Sequence, residues 1–227
     1  MLRRIVFSAA LAGALAGLFL FALQSVFVNP LIHQAENFED AAPHQQAADN
    51  HDSHKHSTQD HGPAGGLDSR IVWTAITNVI TGVGFALLLI AAFTLRGDVD
   101  LRRGVLWGVA GFAVFSLAPA LGLPPELPGD YAAPLMARQM WWAMTVVGTA
   151  GGLALIAFTS SWFTRIIGIC AIVAPHFVGA PHPEQAGGLA PDELRWQFQI
   201  AALVTMGLFW AVLGGLSGYF FRRFENT

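Results

Sequence analysis

The chain has 227 residues, of which 54% are apolar and only 12% charged, with a formal net charge of −3. Soluble domains carry roughly a quarter of their residues as charges. The composition therefore argues against an ordinary soluble enzyme and for an all-α, polytopic membrane bundle whose surroundings are the lipid bilayer, with no nucleic acid expected as a partner.

Six transmembrane spans are predicted in a single membrane domain, near residues 5–28, 71–95, 104–123, 139–158, 164–180 and 198–221. Ile5–Val28, Ile71–Leu95, Gly104–Leu123 and Phe198–Phe221 contain no acid or base. At ~1.5 Å per residue each is long enough to cross ~30 Å of hydrocarbon. The first run follows Arg3 and Arg4, as a secretory signal would, but it exceeds the ~7–15 residues of a signal core and is read as a retained span. The run 164–180 is shorter and contains Pro175 and His176, so it either spans or re-enters.

Between the first two spans, residues 29–70 are expected to form an outer, flexible, histidine- and acid-rich loop. It holds His33, His44, His51, His54, His56 and His61, six of the eight histidines, with Asp49, Asp52 and Asp60 among them. Imidazole is the commonest protein ligand for divalent transition metals. Irregular spacing in a Gln, Asp, Ser and Gly background suits loose, rapid metal capture by such residues as His51, His54 and His56, or else an inert hydrophilic linker. His33 and Glu36 stand three apart, so a short helical extension would place them on one face as an entry ligand pair.

Further along, Thr74, Thr77, Asn78 and Thr81 recur at helical spacing in the second span and either line a pathway or hold helices together. Met136, Met140 and Met144 form a stripe four apart, read as core filler rather than a Cu(I) site. The segment Pro175-His176-Phe177-Val178-Gly179-Ala180-Pro181-His182-Pro183 is the most specific. Counted from Arg165, His176 lies about 16 Å into the membrane, where an ionisable group usually faces a bundle interior or water. Pro175 also deprives the Ala171 carbonyl of its helical donor. Cys170 is alone, so no thiolate cluster or intrachain disulfide forms.

With six spans and an inner N-terminus, Arg3, Arg4, Arg96, Arg102, Arg103, Arg165, Arg222 and Arg223 fall inside, leaving Lys55, Arg70, Arg138 and Arg195 outside. Most acids then face outward, Glu126 among them. The spans pair by sequence as three outer hairpins. The echo of Ala118-Pro119 in Ala174-Pro175 suggests a duplicated hairpin, unless it reflects low complexity alone. Gly13–Gly17, Gly104–Gly108, Gly148–Gly152 and Gly214–Gly218 are close-approach pairs of a compact bundle. No phosphate-binding loop, HExxH or nucleophile elbow occurs, so no enzyme is expected. Inward movement of a divalent cation gains about 4.6 kcal/mol per 100 mV of inside-negative potential, which would serve uptake without ATP.

The chain resembles the CbtA family of predicted bacterial cobalt transporters over nearly its whole length. The resemblance rests on Met1-Leu2-Arg3-Arg4, on Asn78 with Thr81-Gly82-Val83-Gly84-Phe85-Ala86, and on Leu117 through Gly129. It extends to Arg138-Gln139 with Trp141-Trp142, to Pro175-His176 through His182-Pro183, and to Phe209-Trp210 with Leu213-Gly214 and Ser217-Gly218. It implies an inner-membrane permease subunit for Co2+, linked to cobalamin synthesis and acting with a small single-span, histidine-containing membrane protein. No permanently bound cofactor is implied. It favours Glu126, His176 and His182 as signature polar residues and Glu36 as a weaker match. The same ligands would suit Ni2+ or Zn2+. A non-transporting accessory protein that buffers metal is the alternative, and a haem carrier using His176 would need a second axial partner that the spans do not supply. Both chain termini are expected in the cytoplasm and the histidine-rich loop in the periplasm or outside the cell.

Overall fold

Within hydrocarbon no water satisfies a peptide group, so long apolar runs close their hydrogen bonds along themselves and become helices. The computed structural model describes residues 2–41, 67–94, 97 and 99–225. Among them are six helices, numbered here α1 Leu2–Ala41, α2 Leu67–Thr94, α3 Leu101–Ala120, α4 Leu135–Phe158, α5 Trp162–Val178 and α6 Asp192–Arg223. All but α5 are long and apolar enough to cross a membrane, and α5 is a shorter apolar helix.

The first helix does not stop at Asn29-Pro30. A π turn, Gln24–Val28, precedes the proline, and the Asn29 N–H reaches back to the Gln24 carbonyl. Proline offers no N–H and its ring crowds the carbonyl four residues earlier, so a widened turn just before it lets the helix continue. The same device recurs before Pro119, where Ala113–Leu117 is a π turn and the Ala118 N–H bonds to the Ala113 carbonyl. Residues 29–41, expected in the outer loop, are consequently helical. His44, His51, His54, His56 and His61 lie outside the described residues.

Glycine decides which helices meet. Gly13 and Gly17 of α1 lie against the backbone of α2 at Gly82, Val83 and Asn78, and Gly104 and Gly108 of α3 against Gly214, Gly218 and Trp210 of α6. Gly148 and Gly152 of α4 face Ala171 and Gly168 of α5, and a Cβ at Gly148 would sit 2.7 Å from the Ala171 carbonyl oxygen. The four glycine pairs thus sit where backbones approach, as expected. The outer-hairpin pairing holds only for α1 with α2, because α3 packs along α6 and α4 along α5. Complementary small-residue faces override adjacency in the chain, and the proposed hairpin repeat has no counterpart in the packing. Pro119 follows a π turn, whereas Pro175 sits within the α-helix α5.

The core lies between α1, α2 and α6, where Leu20, Ile90, Phe93, Phe209, Trp210 and Leu213 are buried. At one end Arg4 ties α1 to α6. Its Nε donates to the Phe221 carbonyl at 2.7 Å, its guanidinium lies 3.8 Å from the centre of the Phe221 ring, and it pairs with Glu225 at 3.5 Å. The α4–α5 pair joins the rest chiefly through residues 113–120 of α3.

Candidate metal site at the acidic end

Antiparallel packing sorts the charges. Arg3, Arg4, Arg102, Arg103, Arg165, Arg222 and Arg223 fall at one end with Asp100 and Glu225, while Glu36, Glu39, Asp40, Glu126, Asp130, Glu184, Asp192 and Glu193 gather at the other.

At the acidic end two loops, residues 121–134 and 179–191, are stitched together. The Tyr131 N–H donates to the Gly187 carbonyl at 3.0 Å and the Leu189 N–H to the Gly129 carbonyl at 3.2 Å. Gly129 and Gly187 have φ of 78° and 99°, a region other residues rarely adopt. The stitch is fastened by Asp130, whose side chain is only 4% exposed. Its Oδ1 accepts from Arg195 Nε at 3.1 Å and Nη2 at 3.0 Å, and its Oδ2 accepts the Leu127 N–H at 2.8 Å. Arg195 also donates to the Ala190 carbonyl at 3.1 Å and pairs with Asp192. The extension of α1 docks here through Val28, Leu31, Ile32 and Ala35 against Leu127, Ala190, Leu194 and Phe198.

That docking turns His33 and Glu36 outward. His33 Nδ1 lies 2.9 Å from Glu36 Oε2, so the helical extension brings this expected pair together. Glu126 instead pairs with Arg138 Nη2 at 2.9 Å. One turn along α4, the buried Trp141 donates its indole N–H to the Pro175 carbonyl at 3.1 Å and meets the His176 ring edge-on at 5.6 Å. Glu126 and His176 therefore stand against adjacent turns of α4. His176 is half-buried, and the Ala171 carbonyl freed by Pro175 lies against Gly148. His182 is exposed on the stitched loop. Among the described residues no three His, Cys, Asp or Glu side chains come close enough to hold an ion together.

Other polar positions resolve differently. Asn78 donates to Gln24 Oε1 at 2.7 Å and holds α2 to α1, while Thr77 and Thr81 lie on the outer surface of the bundle. Met136, Met140 and Met144 are exposed, so this stripe is surface and not the core filler expected. The ion pairs Asp130–Arg195 and Glu126–Arg138 escaped sequence reasoning. Asp130 and Arg195 are 65 residues apart in the chain, Glu126 and Arg138 are brought together across the bend of residues 121–134, and the local signal was the Pro128-Gly129-Asp130 turn.

Six helices among the described residues, five of them long and apolar enough to cross a membrane, with acids at one end and arginines at the other, define a multi-pass helical membrane protein. The chain belongs to the CbtA family, described as a probable cobalt transporter subunit, whose model matches residues 2–222. No curated protein and no solved structure matches it. Membership supports cobalt as a substrate and a transport role rather than an enzymatic one, and the word subunit implies a partner.

Proposed function

We propose that the chain is the membrane permease subunit for uptake of a divalent transition-metal ion, with Co2+ favoured by the family and Ni2+ or Zn2+ compatible with the same ligands. The observation that supports this most is the His33–Glu36 pair at 2.9 Å on the acidic end, an imidazole and a carboxylate presented together to the surroundings. By the positive-inside rule the acidic end faces outward from a bacterial inner membrane, the arginine-rich end and both termini face the cytoplasm, and α5 completes a sixth crossing. His33, Glu36 and the histidines of residues 44–61, including His51, His54 and His56, collect the ion, and Glu126, His182 and His176 pass it on. Arg138 neutralises Glu126 while no ion is there, so an arriving cation must displace the guanidinium. The metal would serve cobalamin synthesis, and the partner would be a small single-span membrane protein with histidines of its own.

Cobalt accumulation by cells carrying His176→Ala or His182→Ala tests the site. Reduced uptake with normal protein levels is expected, and unchanged uptake in both variants removes these residues from the path. Liposomes containing the purified chain and its partner separate a permease, which loads the lumen with cobalt, from a metal-buffering accessory protein, which binds the ion and moves none.

A further inference from the structure

A cavity of about 780 Å³ opens between α2, α3 and α4, with Trp210 of α6 at its back. Its walls are apolar and largely of small or aromatic residues, among them Ala92, Ala110, Ala154 and Trp107. Phe85, Phe115 and Trp210 close its deep end, with Phe85 and Trp210 ring centres 4.8 Å apart and Phe115 stacked on Trp210 at 5.6 Å. Among the described residues that line it, Arg103 is the charged one, at the arginine-rich end. Arg102, Arg222 and Arg223 outnumber the single carboxylate of Asp100 around a second hollow at that same end.

The length of the cleft selects its occupant. Along α3 it runs from Arg103 to Val114, about 17 Å at the helical rise, which is close to half of a ~30 Å hydrocarbon layer. A spanning helix of a partner needs a seat across the whole layer, whereas an acyl chain reaches only from headgroup level to the midplane. The aromatic roof at mid-depth stops a helix and suits the end of a chain. Charge selects the headgroup, because basic residues at the mouth of an interhelical pocket attract anionic lipids.

We infer that this cleft binds one anionic phospholipid of the leaflet at the arginine-rich end, its acyl chain under the Phe85–Phe115–Trp210 roof and its phosphate at Arg103. The lipid occupies the gap left between the α4–α5 pair and the rest of the bundle, two parts otherwise joined near the 113–120 end of α3. It thereby holds the helices that carry Trp141 and His176 in register with the core. The inference stands whether or not the chain carries metal.

Native mass spectrometry of the full chain released from mild detergent, with fragmentation of the retained lipid, tests it. One phosphatidylglycerol or cardiolipin per chain is expected to survive, and Ala154→Trp, which fills the cleft, is expected to remove it. Arg103→Gln is expected to keep a lipid yet lower the preference for phosphatidylglycerol over phosphatidylcholine about fivefold, the weight of one basic residue near an anionic surface. A lipid-free chain, retention without headgroup preference, binding indifferent to Ala154→Trp, or a polypeptide captured by a photo-crosslinker at position 154 would each overturn the assignment.

Discussion

Removing Arg195 should unfasten the acidic end far more than neutralising its partner does. Arg195→Ala takes the guanidinium from an Asp130 carboxylate that is 4% exposed in the intact protein and leaves it the Leu127 N–H at 2.8 Å. Breaking a buried pair in this way costs about 3–5 kcal/mol. Arg195 is itself 16% exposed and Asp130 keeps one donor, so the lower end, about 3 kcal/mol, applies here. Asp130→Asn leaves no stranded charge. An amide oxygen still accepts from Leu127, and Arg195 keeps the Ala190 carbonyl and Asp192, so the loss is about 1.5 kcal/mol from weakened charge-assisted bonds. The natural reporters are the Tyr131 and Leu189 amides, whose bonds to Gly187 and Gly129 form the stitch. Their hydrogen exchange in the purified protein should quicken about 150-fold in Arg195→Ala and roughly tenfold in Asp130→Asn. The double variant should exchange more slowly than the product of the two effects requires, because the pair is coupled. Equal effects of the two single changes, or a strictly multiplicative double, would refute the claim that a buried, arginine-held carboxylate fastens these loops.

Gly108→Ala drives a Cβ into the Trp210 carbonyl and should lower stability by about 1–3 kcal/mol, seen as a smaller monodisperse fraction after heating in detergent. Gly151→Ala, with nothing within 4 Å, should instead be neutral or stabilising by up to ~1 kcal/mol. Asp100 caps α3 by accepting the Arg103 N–H at 2.9 Å, and that bond, then the charges of Arg103 and Arg222, hold its carboxyl below the ordinary carboxylate pKa. Its stabilising contribution is therefore complete above the unfolded carboxylate pKa and is lost as pH falls through the depressed folded value. Asp100→Asn, which keeps an acceptor at the cap, should flatten the acid limb of a helicity-versus-pH profile without melting the helix at neutral pH.

What could be read from the sequence divides along physical lines. Span positions follow from composition, since a run such as Ile71–Leu95 has no state in water or lipid better than a helix. Glycines four apart revealed where backbones approach, because nothing else fits so close to another helix, yet they did not name their partners. Gly104–Gly108 fits Gly214–Gly218 as well as any other small-residue face, and only the packed chain shows α3 against α6 and α4 against α5. Pro30 misled for a local reason. It looks like a helix end until a π turn is allowed before it, and that turn is what carries His33 and Glu36 out on a continuous helix.

The acidic end shows the deeper limit. A count of its acids describes an open negative surface, but Asp130 is bound to an arginine 65 residues away that also pairs with Asp192, and Glu126 is bound to Arg138, so these carboxylates already have cations beside them. Glu36 has an imidazole beside it, with His33 Nδ1 at 2.9 Å. A cation arriving at Glu126 would have to displace the Arg138 Nη2 that stands 2.9 Å from its carboxylate. The acidic end is therefore better understood as a set of carboxylates with different prior partners than as a uniform antenna, and on the proposed path Arg138 is a cation with which an ion must compete at Glu126.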